Sequence, residues 1–254
     1  LLQSCSRPVA PPSLELAVRL TTDASTQGWG CLLGDQVTGS DRWNPTTAAR
    51  HINAKELQAV ECALSLHLPA LSGRRVLLFT DNTSVCHILR SGTTRSEDLI
   101  PDLRRIWSLL LDNHIDLHPR YVPTDENPAD APSRRVDAYG QQLRPAIFQD
   151  LNRIWGPHQV DRFADSANTL LPQYHTFWPT PFASGTPDAF SNSWADSISW
   201  LSPPFPLVGR TIQHLRECRG AGTLIAPAWP GQPWWPTLLE SAKAQIDLCV
   251  QYDT

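Results

Sequence analysis

The stretch "RRVLLFTDN" (74–82) most limits what this chain can fold into. An unbroken apolar run flanked by polar residues reads as a strand buried on both faces, and such a strand needs covering layers. Its neighbours supply them. "NAKELQAVECALSLHLPAL" (53–71) sets Leu57, Val60, Ala63, Leu64 and Leu68 at helical spacing, with Asn53 positioned as N-cap. "TSVCHILRSG" reads as a short helix closed by Gly92. "SEDLIPDLRRIWSLLLDNH" (96–114) reads as a second long helix. Ser96 is its expected N-cap, Glu97 and Asp98 favour its positive end, and Pro101 is tolerated in its first turn.

Around these lie further strands. "LELAVRLTTDAS" (14–25) alternates apolar and polar positions, "GWGCLLGD" (28–35) reads as its hairpin partner, and "TGSDRWN" (38–44) as a third, shorter strand. "IDLHPRYVP" (115–123) returns as the last. The order β-β-β-α-β-α-α-β predicts an α/β fold, a mixed five-stranded sheet with flanking helices in which the first and fourth strands are neighbours.

Composition narrows the function. With 41% hydrophobic and 18% charged residues among 254, a packed core is expected and wholesale disorder is not. A net charge of -4 excludes a general nucleic-acid sponge, so any nucleic-acid contact must be local or metal-assisted. No apolar run approaches the roughly 20 residues that span a bilayer, so no membrane partner is expected. The six cysteines show no C-x-x-C spacing and read as reduced, buried thiols, which suits an intracellular protein of cytoplasm or nucleus. The chain has no methionine, even at position 1, so a segment of a longer polypeptide is expected, with residues 1–13 as a tether from an upstream domain.

Four isolated acids close or open these elements. Asp23 ends the first strand pattern, Glu56 lies in the first turn of the first long helix, Asp81 ends the central strand, and Asp130 follows the last strand in "YVPTDENPADAPSRR". Each has an ordinary reading: an acid after a strand caps a turn, and one in a first helical turn partners the helix dipole. Together, the neighbouring strand ends and the helix over them would gather carboxylates that raise one another's pKa, an arrangement suited to cations. Mg²⁺ takes a few carboxylates together with water and phosphate oxygens, and two such ions assist phosphodiester cleavage.

The motifs "TTDASTQGWGCLLG", "NAKELQAV", "LFTDNTSVCHIL" and "YVPTDENPADAPSR" together resemble the ribonuclease H domain of a reverse transcriptase, closest in flavour to DIRS-type retrotransposons. The last is also similar to the matching stretch of hepadnavirus polymerases. The resemblance covers about residues 14–135 and implies an RNase H-like fold over 14–140. It implies a catalytic, metal-binding set at Asp23, Glu56, Asp81 and Asp130 holding two Mg²⁺ or Mn²⁺ ions. The implied activity is hydrolysis of the RNA strand of RNA–DNA hybrids, with a reverse transcriptase domain upstream in the same polyprotein supplying much of the hybrid affinity. Asp125 and Glu126 fall in the variable loop before the family acid. Ser25, Asn53, Asn82 and Thr83 flank the acids and are candidate donors to substrate backbone oxygens. His114 and His118 are assigned no catalytic role, and Trp29 is expected in the core. A catalytically silent scaffold of the same fold is one alternative.

After Arg135 the texture changes. Residues 141–156 read as a connecting helix, and 157–254 as a Trp- and Pro-rich module with a strand at 222–229 and a helix at 236–246. Ser202-Pro203-Pro204-Phe205 resembles the [N/D/S]-P-P-[Y/F] motif of phage-type adenine-N6 DNA methyltransferases, which implies a base-stacking aromatic. A Pro-Pro-Phe turn after an apolar strand is also common punctuation. The chain lacks a clear glycine-rich loop for S-adenosylmethionine, so that cofactor is not expected and a degenerate, structural module is, with an active DNA adenine-N6 methyltransferase centred on Ser202–Phe205 as the second alternative function. "PAWPGQPWWP" reads as packing core before it reads as a stacking surface for single strands.

Overall fold

Strands β1 (Val18–Ala24), β2 (Gly28–Leu33) and β3 (Gln36–Arg42) form an antiparallel meander. Ser25 closes its first turn by accepting from the backbone N–H groups of Gln27 and Gly28, and Gly34 (φ 64°) supplies the left-handed residue of the second. The structure, a computed structural model, describes residues 17–134 and 143–248. Strand β4 (Arg75–Thr80) lies parallel to β1, and β5 (Asp116–Tyr121) parallel to β4, giving one five-stranded sheet in the order β3-β2-β1-β4-β5. The mixed sheet and the pairing of first and fourth strands agree with the reading of the sequence.

The helices are α1 (Pro45–Ala48), α2 (Ile52–Leu66), α3 (Leu68–Leu71), α4 (Thr83–Ser91), α5 (Ile100–Asp112) and α6 (Asp130–Ser133). Helix α2 packs on β1, β2 and α5. Leu57, Val60 and Leu64 of α2 meet Leu20, Trp29, Val76, Leu78 and Ile106 in one buried cluster. Burying each such side chain contributes about 1.5–3 kcal/mol.

Several expectations are corrected. The run at β4 is not buried on both faces: Val76, Leu78 and Thr80 are buried, while Arg75, Leu77 and Phe79 are half-buried. Successive residues of a strand face opposite ways, and the helix-covered cluster takes only Val76 and Leu78. The other face is covered by side chains such as Arg19, whose guanidinium lies 4.7 Å from the Phe79 ring centre. Helix α2 is capped by His51, not Asn53; the His51 Nδ1 accepts from the Asn53 N–H at 3.2 Å. It ends at Leu66 rather than continuing to 71, because Pro69 lacks an N–H and its ring clashes with the preceding turn. Ser96 makes no side-chain cap; a 3₁₀ turn, Glu97–Leu99, leads into α5 instead. Helix α4 does end on Gly92 (φ 69°).

The second sheet is parallel, β6 (Val160–Asp161), β7 (Ile198–Leu201) and β8 (Ala221–Leu224) in that order. Helix α7 (Pro145–Trp155) lays Phe148 and Leu151 against Trp200, and α8 (Val208–Glu217) links β7 to β8. Trp194 and Leu201 anchor another cluster with Ala189. The expected strand at 222–229 is the shorter β8, and the expected helix at 236–246 is α9 (Trp235–Ser241). The tryptophans of "PAWPGQPWWP" do not form a core: Trp229 is 43% exposed and Trp234 and Trp235 are half-buried. Pro227, Pro230 and Pro233 keep this segment out of sheet and helix as far as α9, and its tryptophans stay half-covered, Trp229 against Phe205 and Trp234 against Gly209 of α8.

Cys31, Cys62 and Cys86 are buried free thiols and Cys218 is half-buried; Cys5 and Cys249 lie outside the described residues, as does the tether 1–13. Among the described residues no helix is long and apolar enough to cross a membrane. Replacement of the fully buried Ile106 by Ala is expected to lower unfolding free energy by about 2–5 kcal/mol. Leu239→Ser, at an exposed position, should stay within about 0.5 kcal/mol of wild type. Urea unfolding followed by circular dichroism checks both.

Candidate metal centre

Parallel pairing of β1 with β4 puts the carboxyl ends of both strands at one edge of the sheet, with Thr21 opposite Phe79. Asp23 lies near the end of β1 and Asp81 directly follows β4. Helix α2, packed on β1, carries Glu56 to the same edge. Carboxylate oxygens of Asp23, Glu56 and Asp81 all lie within 4.8 Å of one another. Asp81 does not cap α4, because Asn82 fills that place: its Oδ1 accepts from the Val85 N–H at 3.1 Å.

Asp23 is buried, and its two oxygens are held from the far end of the domain. The Asn127 amide donates to Oδ1 at 3.4 Å and to the Thr22 carbonyl at 3.2 Å. The Ser133 hydroxyl donates to Oδ2. Burial pushes the Asp23 carboxyl up to about 6; the Ser133 hydrogen bond opposes this, and the charges of Asp81 and Asp130 add to it. Glu56 is pushed further, to about 9, first by burial and then by Asp23 and Asp81, with the Ala24 N–H as the opposing donor. The Glu56 Oε2 is buried and has no hydrogen-bond partner.

Such a cluster is costly unless a cation neutralises it. Arg134 feels the charges of Asp23 and Asp81, but its ion pair goes to Asp130. Three converging carboxylates, two of them buried, and an orphaned oxygen form a hard-oxygen donor set that fits Mg²⁺ or Mn²⁺. Asp130 stands outside this set. It opens α6, and its Oδ1 accepts from Arg134 Nε and Nη2, each at 2.7 Å.

The candidate substrate donors divide. Ser25 is buried with its hydroxyl 2.7 Å from the Ser133 carbonyl, so its proton is spent inside the fold. Asn82 donates to the Asn53 Oδ1 at 3.0 Å, which ties the start of α2 to the start of α4. Thr83 is exposed in the first turn of α4 and Asn53 is half-exposed. His114 (φ 53°) closes α5, and His118 pairs with Asp116 at 2.9 Å; neither joins the acids. Trp29 is fully buried, as expected. The reading of residue types missed Asn127 and Ser133. Both lie three positions from Asp130 in the quoted motif, where they pass for turn punctuation.

No protein-family model and no curated protein matches the chain. Solved structures do resemble it. RNase H1 from the halophilic archaeon Halobacterium salinarum NRC-1 is 23% identical, aligned over 46% of this chain and 93% of its own, with a TM-score of 0.38. LC11-RNase H1, solved in complex with an RNA/DNA hybrid, is 17% identical over 45% of this chain and 92% of its own, with a TM-score of 0.39. The foamy viral protease-reverse transcriptase, also in complex with an RNA/DNA hybrid, is 17% identical over 52% of this chain and 21% of its own, with a TM-score of 0.36. The likeness is one of fold, an α/β mixed five-stranded sheet with flanking helices.

The raised carboxyls fix the sign of a pH dependence. Their folded values of about 6 and about 9 lie above the ordinary 3.8 and 4.5, so the folded state binds more protons than the unfolded one. Their contribution to stability is full below about pH 4 and is lost as pH rises through about 6 and then about 9. Thermal unfolding in EDTA should show Tm falling across this window. Glu56→Gln should flatten the upper part; an unchanged upper limb would contradict the assignment.

Proposed function

We propose that the chain is a metal-dependent endonuclease hydrolysing the RNA strand of RNA–DNA hybrids, within a retrotransposon reverse transcriptase polyprotein of DIRS type. The convergence of Asp23, Glu56 and Asp81, with the buried Glu56 Oε2 left without a hydrogen-bond partner, carries this reading. Asp23, Glu56, Asp81 and Asp130 would hold two Mg²⁺ or Mn²⁺ ions, the last once Arg134 releases it. When bound, such ions supply an activated water and charge stabilisation of the leaving oxygen.

The chain's own side chains do the rest. Asn127 and Ser133 fix both oxygens of Asp23, so the ligand does not rotate as charge changes beside it. Thr83, exposed two residues after Asp81, and Asn53 would donate to the phosphodiester backbone; Ser25 supports the turn behind Asp23 instead. Selection of RNA rests on the 2′-hydroxyl and helix shape rather than base edges. Binding by a chain of net charge -4 is weak, and an upstream reverse transcriptase domain would supply hybrid affinity in cis.

Asp81→Asn should abolish Mg²⁺-dependent cleavage of a labelled hybrid while leaving the circular dichroism spectrum intact. Equal cleavage by wild type and variant would sink the proposal in favour of a silent scaffold. Ser133→Ala should reduce metal affinity or cleavage by about 10–100-fold.

A second reading concerns the other sheet. Ser202-Pro203-Pro204-Phe205 directly follows the carboxyl end of β7, the middle strand of the parallel sheet. The Phe205 ring meets the exposed Trp229 edge-on, with centres 5.0 Å apart. This supports a degenerate, structural methyltransferase-like module. Titration calorimetry with S-adenosylmethionine is expected to show no heat; measurable binding would restore the active methyltransferase.

A further inference from the structure

Resting on the nuclease reading above, we propose that residues 165–180 belong to the machinery that positions the metal ligands. They clamp edge strand β3, and β3 in turn holds α6 against Asp23.

The clamp is built from the second half of the chain. On the outer edge of β3, the Ser40 N–H donates to the Pro179 carbonyl at 3.3 Å. The buried Asp41 accepts from the Ser166 N–H at 3.1 Å, the Ser166 hydroxyl at 2.6 Å and the Thr180 hydroxyl at 2.9 Å. Arg42 forms a two-pronged pair with Asp165, at 2.5 and 3.0 Å. Asp165 also accepts from the N–H groups of Ala167 and Asn168, so the turn that presents Ser166 is rigid in itself. Charge-assisted and bidentate contacts of this kind are the strong ones, and an unclamped edge strand is the part of a sheet freest to move.

The inner side of the same strand reaches the metal centre. Ser40, Gly30 and Asp23 lie on one rung of the sheet and therefore on one face. The Ser40 hydroxyl donates to the Pro132 carbonyl at 2.9 Å. Gly30 leaves α6 no clearance: a Cβ there would sit 2.7 Å from the Ser133 nitrogen. The next residue of α6, Ser133, then donates to Asp23. Ser40 is thus pinned on its outer side by 165–180 and pins α6 on its inner side. The acids of β1 and α6 take their relative position from a segment that lies more than a hundred residues beyond β3 in sequence.

The test uses the whole chain carrying Ser166→Ala with Thr180→Val, which removes two donors to Asp41 and touches no candidate ligand. Mn²⁺ binding is measured by titration calorimetry, and hybrid cleavage as a function of Mg²⁺. The expected result is a roughly threefold to tenfold loss of Mn²⁺ affinity. The Mg²⁺ midpoint for cleavage should rise by the same factor, with the rate at saturating Mg²⁺ restored and the circular dichroism spectrum unchanged. Leu239→Ser should leave all of these at wild-type values. A lowered Tm with wild-type Mn²⁺ affinity means packing alone and overturns the clamp. If the double variant does not fold, Ser166→Ala alone, which keeps the Thr180 donor, should still weaken Mn²⁺ binding about twofold; wild-type affinity there also overturns it. Failure of the underlying reading looks different: the wild-type chain itself would neither bind Mn²⁺ nor cleave hybrid.

Discussion

Three carboxylates held together in a poorly solvated corner, with no basic side chain ion-paired to them among the described residues, are the constraint around which the rest is arranged. Mutual repulsion and lost hydration both oppose the cluster, and burial is the larger of the two for Asp23 and Glu56. Only a rigid frame can hold such groups in place. The parallel pairing of β1 and β4 sets two of the acids at one edge, and the apolar face of α2 drives the third onto them. The hydrophobic cluster therefore acts on function directly, because the gain from burying Leu57, Val60 and Leu64 is what carries Glu56 into an unfavourable place.

The motif after the last strand completes the frame rather than merely adding a fourth acid. Asn127 and Ser133 bracket Asp23, Ser25 and Ser40 fasten the backbone of α6, and Gly30 lets that helix lie on the sheet. Asp130, the acid that the resemblance singles out, is meanwhile turned to Arg134. The segment is best understood as a strut that carries one acid of its own.

How much of this was legible differs from element to element. Strands β1 to β5 and helices α4 and α5 could be read because a period of two, a period of 3.6 or a glycine stop is a local signal. The start of α2 could not, since His51 and Asn53 are both able to cap and only the contact between Asn53 and Asn82 separates them. The double-sided burial expected of β4 failed for a related reason: an apolar run says that a strand is hydrophobic, not how many layers cover it. The Trp-rich segment misled because aromatic content was read as core, whereas its prolines keep it out of strand and helix until Trp235 opens α9. Asn127 and Ser133 were hidden because their partner, Asp23, is more than a hundred residues away.

The sequence by itself determined the order of elements, the mixed character of the first sheet and the placing of an acid at the end of each key element, since hydrophobic periodicity and turn chemistry are written in neighbouring residues. Tertiary structure alone decided which acids meet, which one is drawn off by Arg134, and that Ser40 and Asp41 of β3 meet residues 165–180. Those outcomes depend on cross-strand register and on where charge is buried, and both are fixed only when distant segments pack together.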